Sequence, residues 1–118
     1  MRGRKIVVVL DDEPGFCETV KDALEDEGYA VETAMDGRSG LALLRGLDAR
    51  PCLLLLDLIM PVLDGNAVYR ELQSDPALAS IRVVVATSDP TYAPRGVEVL
   101  AKPLSLTRLL GLVRSCCD

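Results

Sequence analysis

Three stretches of the chain are apolar at nearly every position rather than at every second one: Ile6 to Leu10, Cys52 to Leu56 and Ile81 to Ala86. A strand with one wet face alternates apolar and polar residues, so runs like these belong to strands covered on both faces, as in a parallel sheet flanked by helices. The segments between them carry helical spacing. Pro14 to Glu27 opens with a proline suited to a first turn, places Phe16, Val20 and Leu24 at i, i+4 and i+8, and stops at Gly28. Leu41 and Leu44 follow the Asp36-Gly37 turn and run up to Gly46, while Val68 and Leu72 lie in Gly65 to Gln73 before Asp75-Pro76. Ser105 can cap a last helix whose Leu106, Leu109, Leu110 and Val113 form one stripe, widened by Leu112, for which core packing is the plainer account. Strands alternating with helices, without an internal repeat or linker, predict one α/β domain over residues 1–118, with the weaker run Ala30 to Ala34 at an edge.

Composition removes several function classes. The longest apolar runs are five residues, against the roughly 20 needed to cross a bilayer. The N-terminus lacks the length and cleavage site of a signal peptide, so a cytoplasmic location and no membrane partner are expected. The net charge of −5 argues against direct nucleic-acid binding by this domain, which would require a basic face. There is no histidine, and Cys17, Cys52, Cys116 and Cys117 have no CxxC spacing, which argues against zinc. Cys52 reads as a small core hydrophobe and Cys116 and Cys117 as exposed thiols near a frayed end, with no disulfide expected in a cytosolic chain.

The polar residues fall at one repeated place, immediately after an apolar strand: Asp11-Asp12-Glu13, Asp57, Thr87-Ser88 and Lys102. In an open parallel sheet the carboxyl ends of the strands share one edge, and ligands bind there where the strand order reverses. Carboxylates crowded at such an edge repel, and they take up protons or a cation. An all-oxygen donor set suits a hard ion, and Mg²⁺ commonly pairs a few carboxylates with a phosphate oxygen. On charge alone Asp57 is the better nucleophile, Asp11 and Asp12 the better ion holders, and Lys102 and Thr87 the partners of two further phosphoryl oxygens. Small Ser88 leaves room for a phosphodonor. Taken singly, each residue has a plainer account: Asp-Asp as a helix cap, Thr87 as a turn residue, Lys102 as a solvated charge. Four such coincidences at four strand ends favour the site.

These residues resemble the receiver domain of bacterial two-component response regulators, of the chemotaxis-regulator-like kind, over essentially the whole chain. The match is carried by Asp11-Asp12-Glu13, by Asp57-Leu58-Ile59-Met60-Pro61 with Asp64-Gly65, by Thr87, and by Lys102-Pro103. The resemblance implies a flavodoxin-like, doubly wound, five-stranded parallel sheet in the order 2-1-3-4-5. It implies a signalling switch rather than a metabolic enzyme, catalysing its own phosphorylation and dephosphorylation. Asp57 would accept phosphate from a sensor histidine kinase, a phosphotransfer protein or a small phosphodonor. Asp12 and Asp57 would ligate Mg²⁺ with the backbone carbonyl of Ile59, Asp11 would assist directly or through water, and Lys102 and Thr87 would contact the phosphoryl group. The resemblance leaves open a fused or separate output domain and a homodimer, and Ile59 and Asp89 are candidates for tuning phosphoryl lifetime.

Two departures concern output. Only Ser88 to Gly96, nine residues including Pro90 and Pro94, join the fourth strand to a fifth at about Val97 to Ala101. A crossover with its helix needs at least about 10 to 12, so the fourth helix should be missing or truncated to a turn. Three residues before Lys102, where the family commonly has an aromatic that follows the threonine, stands Val99, stiff at χ1 and too short to swing. Tyr92 is a substitute candidate, although an exposed loop tyrosine is the plainer reading. A pseudo-receiver binding module is the runner-up function. A phosphohydrolase of the haloacid-dehalogenase type is disfavoured by adjacent Asp11-Asp12 and the lack of room for a cap, and a flavin site by the acidic first turn.

Overall fold

The computed structural model describes residues 5–118, so Met1 to Arg4 of the expected domain lie outside the described residues. Five strands, β1 (Ile6–Leu10), β2 (Ala30–Ala34), β3 (Leu53–Leu56), β4 (Val83–Thr87) and β5 (Glu98–Ala101), form one sheet in the order β2-β1-β3-β4-β5. Every pairing is parallel. This is the expected doubly wound, flavodoxin-like topology. The strand order reverses at β1, which puts β1 and β3 side by side at the switch point.

The continuous apolar runs are explained by two cores, one on each face. Val7, Val9, Leu53, Leu55, Val84 and Ala86 point to one layer, where α1 (Pro14–Asp26) contributes Cys17, Val20 and Leu24 and α4 (Leu106–Cys117) contributes Leu109 and Val113. Their neighbours Val8, Leu10, Leu54, Leu56, Val83 and Val85 point to the other, against Leu41 and Leu44 of α2 (Gly37–Gly46) and Val68 and Leu72 of α3 (Gly65–Ser74). Successive residues of a strand alternate sides, so a strand covered twice must be apolar throughout. Leu112 of α4 packs partly buried against the first layer, in line with the core account.

Helix starts follow their caps. Asp36, Asp64 and Ser105 accept the N–H groups of Ser39, Ala67 and Arg108. Gly28, at φ 95, turns the chain out of α1 in a conformation that other residues adopt only at a cost.

Between β4 and β5 stands only a 3-10 turn, Pro90–Tyr92, as the short crossover predicts. On that side Val97 and Val99 close the second core together with Tyr69 and Ala93, so the layer ends in half-buried side chains rather than under another helix.

The cysteine reading is corrected. Cys52 and Cys117 form a disulfide with Cα atoms 5.2 Å apart, within the span such a bridge requires. Leu109, Val113 and Cys117 lie on one face of α4 at i, i+4 and i+8, and this face carries Cys117 down to the chain entering β3. The C-terminus is not frayed, since Tyr29 Oη also donates to Asp118 Oδ1 at 3.0 Å. Cys116 is a partly exposed free thiol and Cys17 a buried one. Alkylation of the oxidised protein should therefore label Cys116 while sparing Cys52 and Cys117 until reductant is added, as peptide mass mapping would read. Because the bridge spans 65 residues, Cys117→Ser should cost about 4 kcal/mol in urea unfolding by loop-closure entropy.

Candidate functional site

The site is built by extending the ladder one residue past the strands. Asp11 N–H donates to Ala34 O at 3.1 Å, Asp57 N–H to Leu10 O at 2.9 Å and Lys102 N–H to Thr87 O at 2.9 Å. Each functional residue is therefore held by a backbone bond in the register of the sheet, and their side chains meet above its carboxyl edge. Asp11 is 1% exposed, Asp57 6% and Thr87 1%, and these are the buried polar residues among those described.

The loop after Asp57 is shaped by the start of α3. Gly65 N–H donates to Leu58 O at 2.8 Å, and a Cβ on Gly65 would collide with the backbone of Asp57 and Leu58. Only glycine lets the helix approach the Asp57 peptide so closely. This accounts for the Asp64-Gly65 pair physically: Asp64 caps the helix and Gly65 makes room.

Asp11, Asp12 and Asp57 each present one oxygen within 4.8 Å of the others, an arrangement that could hold a metal ion. All three are carboxylates, two of them buried, so a hard cation fits the donor set. Burial raises the Asp57 carboxyl above the ordinary range, and the charge of Asp11 raises it further against the pull of Lys102. Asp11 is raised as well, by burial, despite its hydrogen bonds from Lys102 and the Glu13 amide. Ile59 N–H lies 3.5 Å from Asp57 Oδ1, so its peptide borders the same carboxylate.

Lys102 reaches into this cluster. Its Nζ donates to Asp11 Oδ2 at 2.7 Å and stands 3.6 Å from Glu13 Oε1 and 3.7 Å from Asp57 Oδ2. Burial draws the ammonium's pKa down, but Asp11 first, then Asp57 and Glu13, outweigh it and hold the pKa above the usual lysine value. Thr87 Oγ1, at the end of β4, accepts Asp89 N–H at 3.2 Å, and Asp89 Oδ1 in turn caps the 3-10 turn through Thr91 N–H at 3.2 Å. Asn66 of α3 donates to Tyr92 O at 3.0 Å, and the Tyr92 side chain is exposed, as its plainer reading expects.

Val99 lies opposite Val85 on β5, half-buried in the second core. It sits apart from the acidic cluster. Two neighbours of the cluster were not legible as such in the sequence. Cys17 Sγ donates to Asp11 O at 3.3 Å, and burial, with the charge of Asp11, pushes its pKa up to about 11, so it is an unreactive thiol at neutral pH. Phe16 carries its ring 4.4 Å from Lys102 Nζ. On α1 the buried stripe is Cys17, Val20 and Leu24, while Phe16 is only half-buried and turned toward the site.

The chain is matched over residues 7–114 by a family model described as the response regulator receiver domain. The response regulator MprA of Mycolicibacterium vanbaalenii is 34% identical over 114 residues, covering 92% of this chain and 48% of that protein. Among solved structures, chemotaxis response regulator CheY4 of Vibrio cholerae superposes with a TM-score of 0.82 at 26% identity, covering 97% of this chain and 99% of that one. The phosphorylated cyanobacterial phytochrome response regulator RcpA gives 0.80 at 28% identity, covering 96% and 91%. The chain spans about half the length of the curated relatives it matches. With the expected topology and the acidic edge both present, the chain belongs to the response regulator receiver domain family of two-component systems.

Proposed function

We propose that Asp57 is the phosphoacceptor of this receiver domain, taking a phosphoryl group from a histidine kinase, a phosphotransfer protein or a small phosphodonor, and that residues 1–118 work as one such domain. The observation that carries this reading is the buried Asp57 carboxylate, clustered with Asp11 and Asp12 and standing 3.7 Å from the Lys102 ammonium. In the transfer an Asp57 oxygen forms the new P–O bond as the bond from phosphorus to the donor breaks. Asp11 and Asp12 would hold Mg²⁺ with Asp57 and the Ile59 carbonyl. When bound, the ion supplies charge neutralisation at the phosphoryl oxygens. Lys102 supplies one more positive contact and the Thr87 hydroxyl one donor. The same groups would serve the later hydrolysis, in which water attacks phosphorus and the bond to the Asp57 oxygen breaks, making the domain a catalyst of its own loading and unloading rather than of a metabolic reaction.

No helix among the described residues is long and apolar enough to cross a membrane, which fits a module meeting its kinase and output partner in the cytoplasm. An output domain, fused or separate, and a homodimer are the natural recipients of the signal.

Incubation with acetyl phosphate, or with beryllofluoride and Mg²⁺, should add mass or an adduct at Asp57, and Asp57→Ala should abolish it. An adduct that survives in Asp57→Ala, or none in the wild type with any donor, would refute the assignment. Gly65→Ala, which touches no phosphoryl contact, should slow adduct formation at least tenfold by displacing the Asp57 peptide.

The raised carboxyl groups set a pH dependence. Between the ordinary Asp value of 3.8 and the raised values of Asp11 and Asp57, the folded chain binds more protons than the unfolded one, so these groups make stability fall as pH rises in metal-free buffer. Asp57→Asn should flatten that slope and raise the urea midpoint at neutral pH. Protons and cation compete for the same oxygens, so stabilisation by added Mg²⁺ should grow over this pH range and reach about 2.7 kcal/mol at a hundredfold excess over Kd.

A further inference from the structure

We infer that Phe16 is a positioning residue for phosphoryl transfer, its ring face holding the Lys102 ammonium in line with Asp57. The inference deepens the reading of Asp57 as phosphoacceptor and rests on it. Four groups surround Lys102 Nζ: Asp11 at 2.7 Å, Glu13 at 3.6 Å, Asp57 at 3.7 Å and the Phe16 ring centroid at 4.4 Å. Two of the three carboxylate contacts change when the site is loaded, and the third is screened by solvent. A cation at the acidic cluster shares Asp11, phosphorylation converts the Asp57 carboxylate into an acyl phosphate, and Glu13, with its side chain 64% exposed, is a solvated partner. The ring is the one contact that is neither changed by loading nor screened by solvent.

Something must hold the ammonium, because the far side of Lys102 is open. A cavity of about 630 Å³, lined by Gly15, Phe16, Thr19, Ser88, Leu104 and Leu106, lies along it. A lysine head on a four-carbon stem could swing out into that space once its bond to Asp11 weakens. Phe16 lines that cavity together with Lys102 and holds its ring against the ammonium. Its attraction for the cation is electrostatic but not a directed hydrogen bond, so Nζ can slide across the face from Asp11 toward a phosphoryl oxygen without losing it. A fourth carboxylate in this place would hold the ammonium too, but would repel the incoming phosphoryl group. The half-buried setting of the pair, with the Lys102 side chain 13% exposed, favours a substantial interaction.

The test compares Phe16→Leu, which keeps apolar bulk but has no π face, with Phe16→Tyr, which keeps the face. Leucine should slow phosphorylation by acetyl phosphate and weaken beryllofluoride binding about five- to tenfold, and tyrosine should restore both to within twofold. In unphosphorylated wild type and Phe16→Tyr, the Lys102 ε-methylene proton signals should lie upfield from the ring current, and in Phe16→Leu they should return to ordinary positions. Leucine at wild-type rates, tyrosine as slow as leucine, or unshifted Lys102 signals in the wild type would overturn the inference. An upfield Lys102 with no adduct at Asp57 in the wild type would instead overturn the phosphoacceptor reading, and the positioning role with it.

Discussion

One ammonium set among three carboxylates is the arrangement on which the functional end of this fold depends. Asp11 and Asp57 are almost wholly buried, and burying a carboxylate is costly unless something compensates its charge. Lys102 compensates part. Asp11, Asp12 and Asp57 carry three negative charges against its one positive, a deficit that matches one divalent cation. Burial first raises both carboxyl groups above the ordinary range, and at Asp57 the charge of Asp11 adds to it. Stability is given up locally to keep a charged, water-poor edge ready for a ligand, a compromise typical of functional sites.

The sheet makes the compromise tolerable. Its two apolar layers leave no freedom in strand register, because a slip of one residue would exchange the partners of both faces. The first residues beyond β1, β3 and β5 are then carried to fixed places by single backbone bonds, and Gly65 lets α3 close against the Asp57 peptide. Precision at the site is thus inherited from hydrophobic register rather than from contacts among the polar groups themselves.

That inheritance explains what could be read in advance. Strand order, the two-sided core, the convergence of Asp11, Asp12, Asp57, Thr87 and Lys102, and the absence of a helix after β4 all follow from local pattern, spacing and family motifs. Contacts between segments far apart in sequence carry no such pattern. Nothing in the spacing of Cys52 and Cys117 marks them as partners, and only the descent of α4 onto the start of β3 brings them together. Phe16 belongs by period to the buried stripe of α1, yet Cys17 takes that role and leaves the ring free to face Lys102, 86 positions along the chain. Lys102 itself sits closer to Asp11 than to Asp57, a preference that charge counting along the chain could not rank.

The output side rests on different physics. Val99, like Val97, Tyr69 and Ala93, packs half-buried against the second core, with no helix above it. A β-branched side chain in that setting has no second rotamer to offer. The polar route out of the site instead begins at the Thr87 hydroxyl, which accepts from Asp89 at the head of the 3-10 turn, and ends where Asn66 ties that turn to α3. A hydroxyl has one proton to give and two lone pairs, so Thr87 keeps a proton to donate while accepting from Asp89. The proton of that hydroxyl is thus left over from the turn's own hydrogen bond, and the turn is tied at one end to Thr87 and at the other to α3.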